Sequence, residues 1–326
     1  MSRIVVAGGG AFGTALAVTL ARAGRDVCLW LRDVAATEKM QVARKNTRYL
    51  PGCPFPDGLR VSHDAATLKQ AEVILIAVPT QSLRGFVQQH QGALAGKTCV
   101  LCCKGIEKGS GLLPPDLLRM LLPDAGIAVL TGPGFASEIA TGHPTALTLA
   151  SIGPQAAALQ TLLSTGTLRL YLSDDLTGAA LGGALKNVVA IGCGITIGAG
   201  LGESARAALM TRGYAEIRRL AVDMGARPDT LSGLSGVGDL ALTCGSDKSR
   251  NFSLGYRLGA GRIDRHGQQS SGTVEGMATA QASLTLAQPH GIEMPVAETI
   301  ARVLDGRLAI PEAVNLLLTR PLRSEV

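Results

Sequence analysis

Short apolar runs alternate with segments whose apolar residues recur at helical spacing, and this alternation persists through the first half of the chain. The runs predict strands over Ile4–Ala7, Asp26–Leu31, Val73–Val78, Thr98–Cys102, Ile127–Thr131 and Ala146–Leu149. Between them, segments such as Thr14–Ala23, Leu112–Leu121 and Pro154–Leu163 have the period of a helix with one buried face. Strand and helix in regular succession predict a parallel, doubly wound α/β sheet of Rossmann type. From Asp174 onward the β-branched runs vanish, leaving helical segments at Leu176–Gly198, Ala205–Met224, Pro228–Ser232, Asn251–Leu258, Val274–His290 and Val296–Leu304. The change of period predicts two domains, 1–174 built on the sheet and 175–326 all-helical, with an active site in the cleft between them.

The turn after the first strand indicates what the sheet binds. Gly8, Gly10 and Gly13 have the G-x-G-x-x-G spacing, and the helical pattern opens at Thr14 directly behind them. Gly8 can take the tight turn, Gly10 lets backbone approach a phosphate, and Gly13 lets helix and strand pack closely. A dinucleotide pyrophosphate would then rest on unpaired N–H groups at the helix start. A glycine-rich loop without a ligand has the same spacing; the strand–turn–helix context favours the dinucleotide. After the second strand stands Trp30-Leu31-Arg32-Asp33. The Arg32 guanidinium suits the 2′-phosphate of NADP(H). Asp33, about twenty residues past Gly13, keeps NAD(H) open through its ribose hydroxyls. Two solvated turn charges would read the same way.

Composition narrows the function further. With 326 residues, 46% hydrophobic content and 17% charge, the chain is globular, and 3% aromatics imply an aliphatic, alanine-rich core. The net charge of +6 is scattered, with no basic run and no aromatic platform, which argues against nucleic acid and for a small anionic ligand. The seven cysteines lie mostly in apolar stretches. Cys99, Cys102 and Cys103 approach a C-x-x-C site, but no second Cys or His pair follows at zinc spacing, so buried thiols, no metal and a reducing cytoplasm are expected. The fold is read as beginning at Arg3, so no signal peptide is expected before the first strand.

The segment from Leu176 to Gly202 imitates a membrane span, with glycines at small-xxx-small spacing. Lys186 and Asn187 interrupt it, and the clean stretch beyond them falls short of the ~20 residues a bilayer needs. A buried helix fits better, packed within its own domain or against a second subunit. An ammonium inside such a helix is anomalous unless it has a purpose.

Four further segments bear on the chemistry: Lys104-Gly105-Ile106-Glu107; Thr131-Gly132-Pro133-Gly134-Phe135-Ala136; Leu181-Gly182-Gly183-Ala184-Leu185-Lys186-Asn187-Val188; and Gly236-Val237-Gly238-Asp239-Leu240, which precedes Thr243-Cys244 and Ser249-Arg250-Asn251. With Gly8–Ala15, Trp30–Arg32 and Tyr49-Leu50-Pro51, they closely resemble the bacterial NAD(P)-dependent glycerol-3-phosphate dehydrogenases, in the same order, from about residue 3 to residue 318. The resemblance implies hydride transfer between NADP(H) or NAD(H) and dihydroxyacetone phosphate, giving sn-glycerol 3-phosphate for glycerophospholipid synthesis. It implies that Lys186 is the catalytic acid/base, with Lys104 and Asp239 beside it. Gly132, Gly134, Lys104, Lys186, Asp239, Ser249, Arg250 and Asn251 would bind substrate. The glycine turn with Ala11, Phe12, Arg32, Lys104, Ala136, Arg250, Thr273 and Glu275 would bind cofactor. A homodimer is compatible with the pattern.

The residue types suit that chemistry. Reducing a ketone builds charge on its oxygen as hydride reaches carbon, so a proton donor must stand there. Burial brings a lysine's pKa toward working pH, and Lys104 and Asp239 could orient it. Ser249-Arg250-Asn251 at a helix start offers a guanidinium, a hydroxyl and backbone N–H groups to a phosphate. Singly, Lys104 reads equally as a surface lysine and Arg250 as an ordinary ion-pair partner. One departure stands out: the family usually carries Ser or Thr where this chain has Gly134, so a hydroxyl contact to substrate is missing. The five histidines form no His–Asp pattern. Other β-hydroxyacid-type reductases space the catalytic pair as K-x-x-x-N, whereas Lys186 and Asn187 are adjacent. A non-catalytic dinucleotide sensor would leave the buried lysine unexplained.

Overall fold

The structure, a computed structural model, describes residues 3–262 and 274–319. The chain begins with β1 (Ile4–Ala7), α1 (Ala11–Arg22), β2 (Val27–Trp30), α2 (Val34–Ala43), β3 (Arg60–Ser62), α3 (Ala66–Lys69), β4 (Val73–Ile76) and α4 (Thr80–Leu94). It continues through β5 (Thr98–Leu101), α5 (Pro114–Leu121), β6 (Gly126–Thr131), α6 (Ala136–Thr141), β7 (Thr145–Ser151), α7 (Ala156–Leu163) and β8 (Leu168–Ser173). Beyond β8 the described residues are helical: α8 (Leu176–Gly198), α9 (Gly202–Asp223), α10 (Pro228–Ser232), a π-helical turn at Leu234–Gly238 and α11 (Asp239–Cys244). After these come α12 (Arg250–Gly259), α13 (Glu275–Ala287), α14 (Pro295–Leu304) and α15 (Ile310–Leu318).

The eight strands form one sheet in the order β3-β2-β1-β4-β5-β6-β7-β8. Its central strands are buried on both faces, which is why they read as unbroken apolar runs. Ile4 and Val6 pack on one side with Leu16 and Leu20 of α1. Val5 and Ala7 pack on the other with Leu83 and Val87 of α4.

The sheet is not wholly parallel as expected: β7 runs antiparallel to β6, pairing Leu149 with Leu130. The β6–β7 connection carries only the six-residue α6. The edge strand β8, parallel to β7, has no counterpart among the predicted strands. It alternates buried Leu168 and Leu170 with exposed Arg169 and Tyr171, and so lacks an apolar run.

Helix α8 is the axis of the helical region, buried from Gly178 through Thr196. By length and composition it could cross a membrane, yet 94% of its most apolar window is buried inside the protein. Its partner is α12. A methyl added at Gly255 would lie 2.0 Å from the Ile191 carbonyl oxygen, and one at Gly194 would lie 2.1 Å from that of Phe252. The small residues therefore bring two helices of the same chain into backbone contact. Asp175 fixes the start of α8, one carboxylate oxygen accepting from Gly178 N (2.7 Å) and the other from Arg227 N (2.8 Å).

Candidate active site

Parallel register brings the ends of β1, β2 and β4 level, Ala7 lying beside Trp30 and Ile76. The chain then turns through Gly8 at φ +130°, where a Cβ would stand 2.5 Å from the Ala77 carbonyl oxygen. At Gly13 a Cβ would meet the Gly8 carbonyl oxygen at 2.2 Å, whereas at Gly10 it would meet nothing within 4 Å. Gly10 caps α1 with no side-chain hydrogen bond to the first turn, which comprises Ala11, Phe12 and Gly13. Open space over uncapped helical N–H groups fits a dinucleotide pyrophosphate. Asn46, fully buried and not anticipated from sequence, braces this turn by donating to Gly9 O (2.9 Å) and Thr14 Oγ1 (2.8 Å).

At the end of β2, Asp33 caps α2, its Oδ1 accepting from Ala36 N at 3.0 Å. Arg32 is exposed and makes no hydrogen bond or ion pair with a described residue. The carboxylate is thus engaged by its own helix and the guanidinium is not.

Three of the predicted side chains converge from separate elements of the fold. Lys186 Nζ donates to Asp239 Oδ1 and to Thr243 Oγ1, both at 2.6 Å. Lys104 Nζ donates to the other carboxylate oxygen of Asp239 (2.8 Å) and to Gly132 O (3.3 Å). The Lys104 ammonium also lies 5.6 Å from the ring centre of Phe12, in the glycine turn. Lys186 and Asp239 are buried, and Lys104 retains 15% side-chain exposure, so the group opens to solvent on the Lys104 side.

Local sequence explains the convergence. Gly182, one helical turn before Lys186, has its missing Cβ only 2.4 Å from Ser235 O, which lets the π-helical turn press onto α8. Asp239 then starts α11 directly above Lys186, and Thr243 follows one turn on, on the same face. Such π turns recur at functional sites. Thr243 is a site residue that its spacing from Asp239 could have revealed.

Burial lowers the pKa of Lys186 to about 8, against the opposing pull of Asp239; the Lys104 ammonium lowers it further. Burial alone would raise the Asp239 carboxyl, but the two ammonium groups outweigh it and hold its pKa below the ordinary carboxylate value. A charged acid/base is thereby kept near neutrality beside a permanent carboxylate.

The remaining predicted residues lie at the starts of helices and in the turns of the fold. Ser249 caps α12, its Oγ accepting from Phe252 N (3.2 Å), and Arg250 is the exposed first helical residue. Asn251 is committed inside the protein: Nδ2 donates to Asn187 Oδ1 (2.9 Å) and Oδ1 accepts from Gly276 N (3.1 Å). Gly132 turns the chain at φ +136°. At Gly134 a Cβ would meet Ile139 Cδ1 at 2.9 Å and Thr145 Cγ2 at 3.1 Å, so aliphatic groups crowd that position. Ala136 opens α6. Glu275 opens α13 and is half-buried; desolvation raises its pKa, and its Oε1 accepts from Thr80 N at 3.2 Å. Thr273 lies outside the described residues. Among those residues no cluster of three or more His, Cys, Asp or Glu side chains could hold a metal, and all seven cysteines are free thiols.

The family model described as the NAD-dependent glycerol-3-phosphate dehydrogenase N-terminus matches residues 3–157, and that of the C-terminus matches residues 175–315. A glycerol-3-phosphate dehydrogenase [NAD(P)+] of Ruegeria sp. (strain TM1040) is 56% identical over 323 residues, 99% of both chains. Its counterpart in Roseobacter denitrificans is 50% identical, covering 98% of this chain and 99% of the other. Among solved structures, glycerol-3-phosphate dehydrogenase from Coxiella burnetii superposes with a TM-score of 0.94 at 38% identity, over 98% of this chain and 99% of that one.

Proposed function

Because this chain belongs to the NAD-dependent glycerol-3-phosphate dehydrogenase family, we propose a specific division of labour among the side chains of its cleft. The overall reaction is that of the family: NAD(P)H-dependent reduction of dihydroxyacetone phosphate to sn-glycerol 3-phosphate, and its reverse. When bound, the nicotinamide supplies or accepts the hydride.

Lys186 donates a proton to the carbonyl oxygen during reduction and takes it back during oxidation. The observation that carries this role is its buried ammonium, held between Asp239 and Thr243 with a pKa of about 8. Asp239 orients Lys186 and balances the two lysines, and Thr243 fixes the direction of the ammonium. Lys104 reaches from the cofactor side, over Phe12, to the same carboxylate, and polarises the substrate oxygen. Arg250 and the first turn of α12 hold the substrate phosphate, with Ser249 shaping that turn. Asn251 supports this anion site by joining α12 to α8 and α13. Gly132 and Gly134 form the opposite wall.

Gly8, Gly10, Ala11, Phe12 and Gly13 cradle the pyrophosphate, with Ala136, Thr273 and Glu275 completing the cofactor side. Arg32 receives the 2′-phosphate of NADP(H), a role supported by the engagement of Asp33 in capping α2. We also propose residues 1–174 as the dinucleotide domain and 175–326 as the substrate domain, with supply of glycerophospholipid synthesis in the cytoplasm, where seven free thiols persist. A homodimer is proposed as well; sedimentation equilibrium tests it. The reaction is tested by following nicotinamide absorbance with dihydroxyacetone phosphate and, separately, unphosphorylated dihydroxyacetone. Fast turnover of the phosphate ester alone is expected, and equal turnover of both would remove the anion site from the account.

A further inference from the structure

Lys104 stands on a stretch between β5 and α5 that has no regular hydrogen-bonding ladder, yet its ammonium is held on Asp239 and Gly132. Such placement needs an external frame, and the first turns of α4 supply one. Gln81 pairs with the loop as a strand would: its Nε2 donates to Ile106 O at 2.8 Å, and its Oε1 accepts from Lys108 N at 3.0 Å. Arg84 grips Glu107 with both arms of its guanidinium, Nε to Oε1 at 2.9 Å and Nη2 to Oε2 at 2.7 Å. Ser110 Oγ donates to the same carboxylate at 2.5 Å. Glu107 is only 8% exposed, and it pairs with Arg84 and Ser110 rather than with the lysines of the cleft.

The frame also reaches the cofactor side. Gly105, next to Lys104, lies so close to Thr80 and Thr279 that a Cβ would stand 2.9 and 3.2 Å from their hydroxyl oxygens. Thr80 in turn donates its backbone N–H to Glu275. One turn of α4 therefore touches both the loop that carries Lys104 and the start of α13.

We propose that Arg84, Glu107 and Gln81 are positioning residues for the reaction, holding the Lys104 loop so that its ammonium stays on Asp239. A fork with two hydrogen bonds fixes orientation as well as distance, which a single charge does not. Misplacement of a catalytic group by about 1 Å costs on the order of 10²-fold in rate. The proposal rests on the role given above to Lys104.

A purely structural brace would alter stability and nothing else, whereas a positioning role reaches Lys186. The groups acting on Lys186 are Asp239, Lys104 and the Cys244 thiol, and the nearby Lys104 charge lowers its pKa. Moving Lys104 away from Asp239 lets Lys186 hold its proton to higher pH.

The test compares Arg84→Met, Arg84→Lys and Glu107→Gln with Lys104→Met. For each folded variant, kcat/KM for dihydroxyacetone phosphate, KM for NADPH, the pH profile and the thermal midpoint are measured. Arg84→Met and Glu107→Gln should lose about 10- to 100-fold in kcat/KM with little change in KM for NADPH. Their alkaline limb should move to higher pH, as in Lys104→Met, and Arg84→Lys should fall between them and the parent. Glu107→Gln keeps the shape of the side chain, so it answers the question if Arg84→Met does not fold. Lower thermal midpoints with unchanged kcat/KM and an unmoved limb would overturn the proposal while leaving the Lys104 reading intact. An unmoved limb in Lys104→Met itself would overturn that reading and the proposal together.

Discussion

Replacing Asp239 by Asn removes a charge from the cleft while keeping the shape of the side chain, and its effect can be worked from the geometry. Asp239 touches Lys186 at 2.6 Å and Lys104 at 2.8 Å, both contacts buried or nearly so. Two unit charges about 4 Å apart interact by roughly 4 kcal/mol at an effective dielectric constant of about 20. The Asn carbonyl can still accept one hydrogen bond from Lys186, worth about 1.5–3 kcal/mol. The loss is then about 2 kcal/mol, or roughly 1.5 pH units in the ionisation of Lys186. Asp239 raises the lysine's pKa, so its removal lowers that pKa from about 8. Reduction needs the protonated lysine, so the alkaline limb of kcat/KM should move to lower pH by more than about one unit. Oxidation of glycerol 3-phosphate needs the neutral lysine, and its rising limb should move the same way.

Stability should change with the same ionisation. A lysine whose folded pKa lies below its unfolded value destabilises the fold at low pH. That cost shrinks as pH rises from the folded pKa toward the unfolded one. Asp239→Asn should therefore be least stable in acid, and the loss of the carboxylate beside the buried Lys186 and the partly exposed Lys104 should cost about 3–5 kcal/mol there. The assay is the pH profile of nicotinamide absorbance change with dihydroxyacetone phosphate, paired with urea unfolding at two pH values. A limb that stays in place, or moves to higher pH, would refute the assignment of that limb to Lys186.

Three other substitutions test the walls of the cleft. Arg32→Ala should weaken NADPH by about 1.5–3 kcal/mol and leave NADH nearly unchanged, as read by nicotinamide fluorescence titration; equal losses would mean that Arg32 only shapes the turn. Arg250→Ala should raise KM for dihydroxyacetone phosphate far more than for unphosphorylated dihydroxyacetone, and parallel losses would assign Arg250 to the fold or the cofactor. Gly134→Ser would restore the family's hydroxyl, but its Cβ meets Ile139 and Thr145, so about 1–3 kcal/mol of stability should be lost in urea unfolding. Adding Ile139→Val should recover stability and give a lower KM; a KM unchanged in the double variant would exclude the hydroxyl contact.

Much of the sheet was legible because its central strands are buried on both faces, and a run such as Ile4–Ala7 carries that signal without neighbours. The glycine turn was legible because its spacing stands between a strand and a helix, and Gly13 answers the nearby Gly8 backbone, although Gly8 answers the distant Ala77. Lys186 stood out because an ammonium inside an apolar helix is anomalous on elementary grounds, although its role came from the family resemblance. What stayed hidden depends on tertiary contact. β8 alternates and so resembles a loop, and the reversal at β7 is a matter of strand pairing that no apolar run signals. The meeting of Asp239 with Lys186 spans 53 positions through a π-helical turn, a distortion that periodicity does not reveal. Asn46 and Thr243 are polar residues whose partners are distant in sequence, and the capping of α2 by Asp33 carries no apolar signal.

The central claim is that Lys186 moves the proton, and Lys186→Met tests it most directly. Methionine keeps a flexible side chain of similar length in the helix, so the fold should survive. General acid catalysis contributes about 10²–10⁴-fold, so kcat with dihydroxyacetone phosphate should fall by that order while NADPH binding, read by nicotinamide fluorescence, stays intact. The limb near pH 8 should disappear from the residual activity. Retention of more than about a tenth of the parental kcat would contradict the claim and make Lys104 the leading candidate for the proton donor.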